Sequence, residues 1–169
     1  MGDIKKTSLE SRVKQSLSVI ASEKIDYKLS IIASSMSGYV AMKLTQFYKI
    51  ENLILLAPAV YDSSAYSVTF GLKFTEIIRK PYSWKNSDIW EINKKFKGNF
   101  LLLVAEKDQI IPREITEKIY SSIINAKTKK MIVVNNANHS LVRWLNNNLN
   151  YLDSVSEIIC NILEKTYFT

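Results

Sequence analysis

The sequence predicts an α/β fold: a single three-layer α/β/α domain over residues 1–169, with about four parallel strands. Short apolar runs at 28–33, 53–57, 100–104 and 131–134 read as strands, and the first has the composition of a strand buried on both faces. Segments with helical apolar spacing separate them, and such alternation implies crossover connections and a parallel sheet. The chain has 169 residues, 47% of them hydrophobic, which is enough to bury a core and argues against disorder.

The first helix is expected to begin at Thr7. Thr7-Ser8-Leu9-Glu10 reads as a capping box in which the Thr7 hydroxyl and Glu10 satisfy each other's amides. Leu9, Val13, Leu17 and Ile20 then recur on one face, as far as Ser22-Glu23. Asp26-Tyr27 leads into the first strand, 28–33. Val40, Ala41, Leu44 and Tyr48 mark a second helix, with Gly38 at its start allowing close packing on the strand. A second strand, 53–57, stops at Pro58.

Residues 61–97 read as a cap-like insertion dense in aromatics, with a short helix over 70–78 and another capped by Ser87-Asp88. It leaves the carboxyl end of a strand, where ligands bind in doubly wound sheets. Tyr61, Phe70, Phe74 and Trp84 are therefore candidates to line an apolar substrate pocket. A satellite core sealing that end of the sheet explains the same aromatics. The third strand follows Gly98-Asn99. Ile115, Ile119 and Ile123 give a helix face, the fourth strand follows Lys129-Lys130, and Leu152, Val155, Ile159 and Leu163 face inward from a last helix. Asn146 to Asn148 reads as a loop, and Cys160 as a small buried hydrophobe.

The net charge is +7, but the lysines and arginines are dispersed, with only short clusters at 94–97 and 127–130. That pattern fits a solvated basic surface and argues against a nucleic-acid or membrane partner. The first six residues are polar with no apolar run behind them, and no stretch approaches a bilayer span. With a single cysteine as well, a cytoplasmic location is the expectation.

The chemistry centres on Ile31-Ile32-Ala33-Ser34-Ser35-Met36-Ser37-Gly38, the end of a strand, a tight turn and a helix start. A serine at such a turn is held clear of the backbone, provided that the residues two before and two after it are small. Ser35 has Ala33 and Ser37 there; Ser34 would have Ile32 and Met36, and Ser37 would have Tyr39 on one side. Asp108 lies in the loop after the third strand, and His139, the only histidine, in the loop after the fourth. Parallel strands end on one edge, so the three can converge. Imidazole can take the serine proton, and a carboxylate on the far ring nitrogen fixes the tautomer. Read singly, Asp108 also fits a turn or capping aspartate and His139 an ordinary loop histidine. Read together, they make Ser35, His139 and Asp108 a candidate nucleophile, base and orienter, with the Met36 amide as oxyanion donor.

Three segments carry a family resemblance. Ala33-Ser34-Ser35-Met36-Ser37-Gly38 resembles the G-H-S-M-G-G elbow of the alpha/beta-hydrolase fold family. Val104-Ala105-Glu106-Lys107-Asp108-Gln109-Ile110-Ile111-Pro112 resembles its acid loop, and Asn136-Ala137-Asn138-His139 its histidine loop. The resemblance implies a serine hydrolase acting on a small apolar ester or thioester, without a metal or organic cofactor. The Ala-x-Ser-x-Ser elbow is also similar to that of the acyl-transferase/thioesterases of bacterial luminescence. Family members carry about four further strands before the helix that precedes the elbow. The resemblance therefore also implies an elbow strand at an open sheet edge and a half-built oxyanion hole. It leaves room for a homo-oligomer or partner chain at that edge. The alternative function is a catalytically incomplete, hydrolase-like binding module.

Overall fold

The structure is a computed structural model that describes residues 7–23 and 28–167. The expected approach at Asp26-Tyr27 lies outside the described residues. Four strands, β1 (Leu29–Ser34), β2 (Ile50–Leu56), β3 (Asn99–Ala105) and β4 (Thr128–Val134), form one parallel sheet in the order β1-β2-β3-β4. Around them are α1 (Leu9–Ser22), α2 (Met36–Leu44), α3 (Leu72–Ile78), α4 (Ile89–Lys94), α5 (Arg113–Ser122), α6 (Leu141–Asn146) and α7 (Leu149–Tyr167).

The two-residue period of the strands divides the core. Leu53, Leu55, Phe100, Leu102 and Val104 face α2, α4 and α5, whereas Ile54, Leu56, Leu101 and Leu103 face α6 and α7. This is the expected α/β fold with four parallel strands, layered as the apolar runs require. Asn52, fully buried in β2, is satisfied by Ser30, Asn99 and Thr166 at 2.7, 2.8 and 3.0 Å.

Several local expectations are corrected. The N-cap of α1 is Ser8, not Thr7, and its capping-box partner is Ser11, not Glu10. The Ser11 hydroxyl reaches the Ser8 amide at 2.8 Å, while Glu10 pairs outward with Lys14 at 2.7 Å. β1 is not buried on both faces. It has β2 as its one neighbour among the described residues, and Ile32, on the face shared with Ile54, is 54% exposed. Asp88 does not cap α4 with its side chain; its carboxylate takes the ammonium of the buried Lys43 at 2.6 Å instead. Cys160 is exposed, because Leu152, Val155, Ile159 and Ile162 turn the other side of α7 to the sheet. The polar loop after β4 ends at Ser140, and between it and α7 lies α6, too short to show a helical period in the sequence; Asn146, read as loop, is its last residue.

Two glycines are fixed by close approaches. A Cβ on Gly38 would lie 2.6 Å from the Pro58 Cβ, so α2 packs on the residues just past β2. A Cβ on Gly98 would lie 2.4 and 2.6 Å from the carbonyl oxygens of Ile50 and Glu51. Those oxygens belong to a paired strand and cannot yield without moving it. We therefore expect Gly98→Ala to cost about 1–3 kcal/mol, read as a lower urea midpoint; a midpoint equal to that of the parent chain would contradict the close approach.

Residues 61–97 connect β2 to β3. Tyr66, Phe74, Trp90 and Phe96 pack into the core on the α2 side of the sheet. The segment is held to α1 by backbone bonds from Glu10 N–H to the Tyr66 carbonyl (2.9 Å) and from Phe70 N–H to the Thr7 carbonyl (2.8 Å).

Candidate active site

Ser35 sits between β1 and α2 at φ 51°, ψ −122°, a region that side chains rarely occupy. Three bonds hold it there. Its N–H donates to the Leu56 carbonyl at 3.0 Å, and its carbonyl accepts from Gly38 and Ala59, each at 3.0 Å. A strained residue persists where its surroundings over-determine it. Met36 begins α2, and amides of a helix's first turn have no acceptor within the helix. The helix dipole adds positive potential at the same point.

Asp108 and His139 come from the loops after β3 and β4. Backbone bonds strap these loops together: Glu106 N–H to the Val134 carbonyl at 3.2 Å and Lys107 N–H to the Ala137 carbonyl at 2.8 Å. The Glu106 carboxylate also accepts from the Asn136 amide at 2.7 Å. Asn136 itself is left-handed, at φ 61°, a conformation that asparagine tolerates well.

These supports bring the candidate residues into one relay. Ser35 Oγ lies 2.9 Å from His139 Nε2, and His139 Nδ1 lies 2.9 Å from Asp108 Oδ2. An ionised carboxylate only accepts, so Nδ1 carries the proton and Nε2 is left to accept from the serine hydroxyl. Asp108 is nearly buried, its side chain 6% exposed against 22% for His139. Its other oxygen, Oδ1, accepts from the amides of Ile110 and Ile111, both at 2.9 Å. The turn reading and the orienting reading of this aspartate thus hold together, one on each oxygen.

Ser35 opens into a cavity of about 580 Å³ lined mainly by apolar side chains, among them Val60, Tyr61, Trp84, Ile111 and Ile115. Burial pushes the Tyr61 phenol up to about 12, so it stays neutral at ordinary pH. Of the four aromatics expected at a pocket, Tyr61 and Trp84 line this cavity. Phe70 and Phe74 do not; they line a separate apolar groove of about 890 Å³ with Met36, Val40, Leu29 and Ile32 at the β1 edge. Their rings meet edge to face, with centroids 4.9 Å apart. Sequence reasoning missed Lys80, Tyr82 and Ile110 on the cavity wall. Only the fold shows that their loops face Ser35. It also missed a second cavity at Ser35, of about 500 Å³, reached from the His139 side.

Among the described residues, no group of three or more His, Cys, Asp or Glu side chains could hold a metal ion. Nor is any described helix long and apolar enough to cross a membrane.

No curated protein matches the sequence. Solved structures match the fold at low identity. A meta-cleavage product hydrolase from Pseudomonas fluorescens is 13% identical, with a TM-score of 0.66 over 95% of this chain and 73% of that one. Est1E from Butyrivibrio proteoclasticus is 14% identical, with a TM-score of 0.65 over 93% and 71%. A monoacylglycerol lipase from Paleococcus ferrophilus is 18% identical, with a TM-score of 0.59 over 88% and 76%. All share the alpha/beta-hydrolase fold, and the four-stranded parallel sheet with its helices here has that fold. The model of an uncharacterised protein family, UPF0227, matches residues 4–153. The chain belongs to that family and has the alpha/beta-hydrolase fold.

Proposed function

We propose that this chain is a serine hydrolase that cleaves an ester or thioester through Ser35, His139 and Asp108. The observation that carries the reading is the unbroken relay, 2.9 Å at each link, ending on a strained serine at a helix N-terminus. The fold's solved neighbours, which include a serine hydrolase and a monoacylglycerol lipase, support the same reaction class.

In the first half-reaction Ser35 Oγ forms a bond to the acyl carbon as its proton passes to His139 Nε2. Asp108 steadies the imidazolium so formed through Nδ1. The Met36 amide donates to the oxyanion, where preorganised donors act most strongly. His139 then gives its proton to the leaving oxygen or sulfur as that bond breaks. Water repeats the sequence against the acyl-enzyme, releasing the acid and restoring the Ser35 hydroxyl. The apolar cavity holds the acyl group.

The test is labelling of the purified chain with a fluorophosphonate, peptide mapping of the adduct, and hydrolysis of p-nitrophenyl butyrate. The expected result is a single adduct on Ser35, with turnover that the labelling abolishes. A folded protein that takes no label and turns over no ester would sink the reading. A second reading, a hydrolase-like module that docks another chain, would then be favoured. The observation behind it is the apolar groove beside the one-sided strand β1.

A further inference from the structure

Ser35 borders two cavities; both are lined mainly by apolar surface, and they differ in charge. The first, already described, is mainly apolar, with Lys80 and Glu114 placing one charge of each sign on its wall. The second, of about 500 Å³, is lined by Ser34, Ser35, His139, Ser140 and residues of α6, including Arg143 and Asn146. Arg143 is the only permanently charged side chain of that lining, and it is exposed.

The proton inventory assigns the cavities. The leaving oxygen must take its proton from His139 Nε2 as the acyl–oxygen bond breaks, so it leaves on the side where His139 is accessible. His139 lines the second cavity and not the first. The acyl group therefore occupies the first cavity and the alcohol the second. Opposed charges give the acyl side no net preference for charge. A lone guanidinium, which matches carboxylate and phosphate oxygens in a fork, gives the alcohol side a clear one.

Resting on the serine-hydrolase reading, we propose that the substrate is an ester of an apolar acid with an anionic alcohol, carrying a carboxylate or phosphate, and that Arg143 is the specificity-determining residue that receives it. Arg143 is the third residue of α6, which starts at Leu141 after Ser140, so a helix presents it to the same cavity as His139. Because Arg143 is exposed, solvent limits its effect to a few-fold.

Three esters test this: phenyl butyrate, 4-carboxyphenyl butyrate, and the phenyl half-ester of succinic acid. The second has a negative charge on its alcohol, the third on its acyl group. The parent chain is expected to favour 4-carboxyphenyl butyrate at low salt. Arg143→Gln should lower the ratio of its kcat/KM to that of phenyl butyrate about three- to fivefold, through KM. Arg143→Lys should restore part of the ratio, and raised salt should erode it in the parent but not in Arg143→Gln. An Arg143→Gln effect equal on all three esters, or confined to the succinate half-ester, would overturn the proposal and leave the serine-hydrolase reading standing. Failure of every ester to turn over, with Ser35 unlabelled, would overturn both.

Discussion

Ser35→Ala is expected to remove p-nitrophenyl butyrate hydrolysis by about four to six orders of magnitude while leaving the thermal midpoint within a degree or two. The two effects separate because of how Ser35 is held. Its strained φ of 51° is fixed by backbone bonds to Leu56, Gly38 and Ala59, which alanine keeps. The hydroxyl itself is bonded to His139 Nε2. On the proposed mechanism alanine removes the nucleophile and little else, and leaves only what binding and the Met36 amide would contribute. Burst and steady-state kinetics, alongside calorimetry, would check both halves. Residual activity above about a hundredth of the parent's would place the nucleophile elsewhere, since serine removal in such a relay costs far more than that.

Asp108→Asn should come next in size, with a loss of about 10³–10⁴ in kcat and little loss of stability. The asparagine oxygen can take over from Oδ1 and keep accepting from the Ile110 and Ile111 amides. The amide nitrogen then stands where Oδ2 stood, facing His139 Nδ1 with a donor. Donor against donor forces the imidazole into its other tautomer, with the proton on Nε2, where it can no longer accept from Ser35. Asp108→Ala, by contrast, leaves both amides without an acceptor and should also lower stability, by about 1–3 kcal/mol. Comparable activity losses but different melting points would separate the two oxygens' tasks. If Asp108→Asn melted as early as Asp108→Ala, the division of roles would be wrong.

The fold was legible because its strands announce themselves. The apolar runs of β2 and β3 are buried on both faces, and each is closed by a turn residue or a polar loop. The relay was legible for the same reason: parallel strands bring their carboxyl ends together whatever lies between. What was not legible depends on side chains choosing among equivalent partners. Thr7 and Ser8 offer the same hydroxyl, and only the path of the chain selects Ser8 as the cap. Asp88 reads as a helix cap, but a buried lysine outbids the local amide for its carboxylate. Phe70 and Phe74 read as pocket residues from their position in the aromatic segment. Which of two neighbouring hollows they face is settled by the direction of α3, about which seven residues say little. Cys160 reads as buried from its residue type, whereas its place on α7, about 100° round from the packed Ile159, turns it to solvent.

The pair of backbone bonds between α1 and the stretch 66–70 bears on how a ligand would reach Ser35. Thr7 and Glu10 clasp the near part of the aromatic segment at 2.8 and 2.9 Å, and Leu9 beside them is fully buried. That end of the segment is fixed to the body of the domain. The far rim is built differently. Tyr82 is exposed and left-handed at φ 59°, next to Pro81, in a tight turn closed by the bond from Ser83 N–H to the Lys80 carbonyl. Lys80, Pro81, Tyr82 and Ser83 also line the cavity at Ser35, so this turn is the looser part of its wall. Amide exchange should be slow at Glu10 and Phe70 and fast around Tyr82, a contrast that can be timed without any substrate.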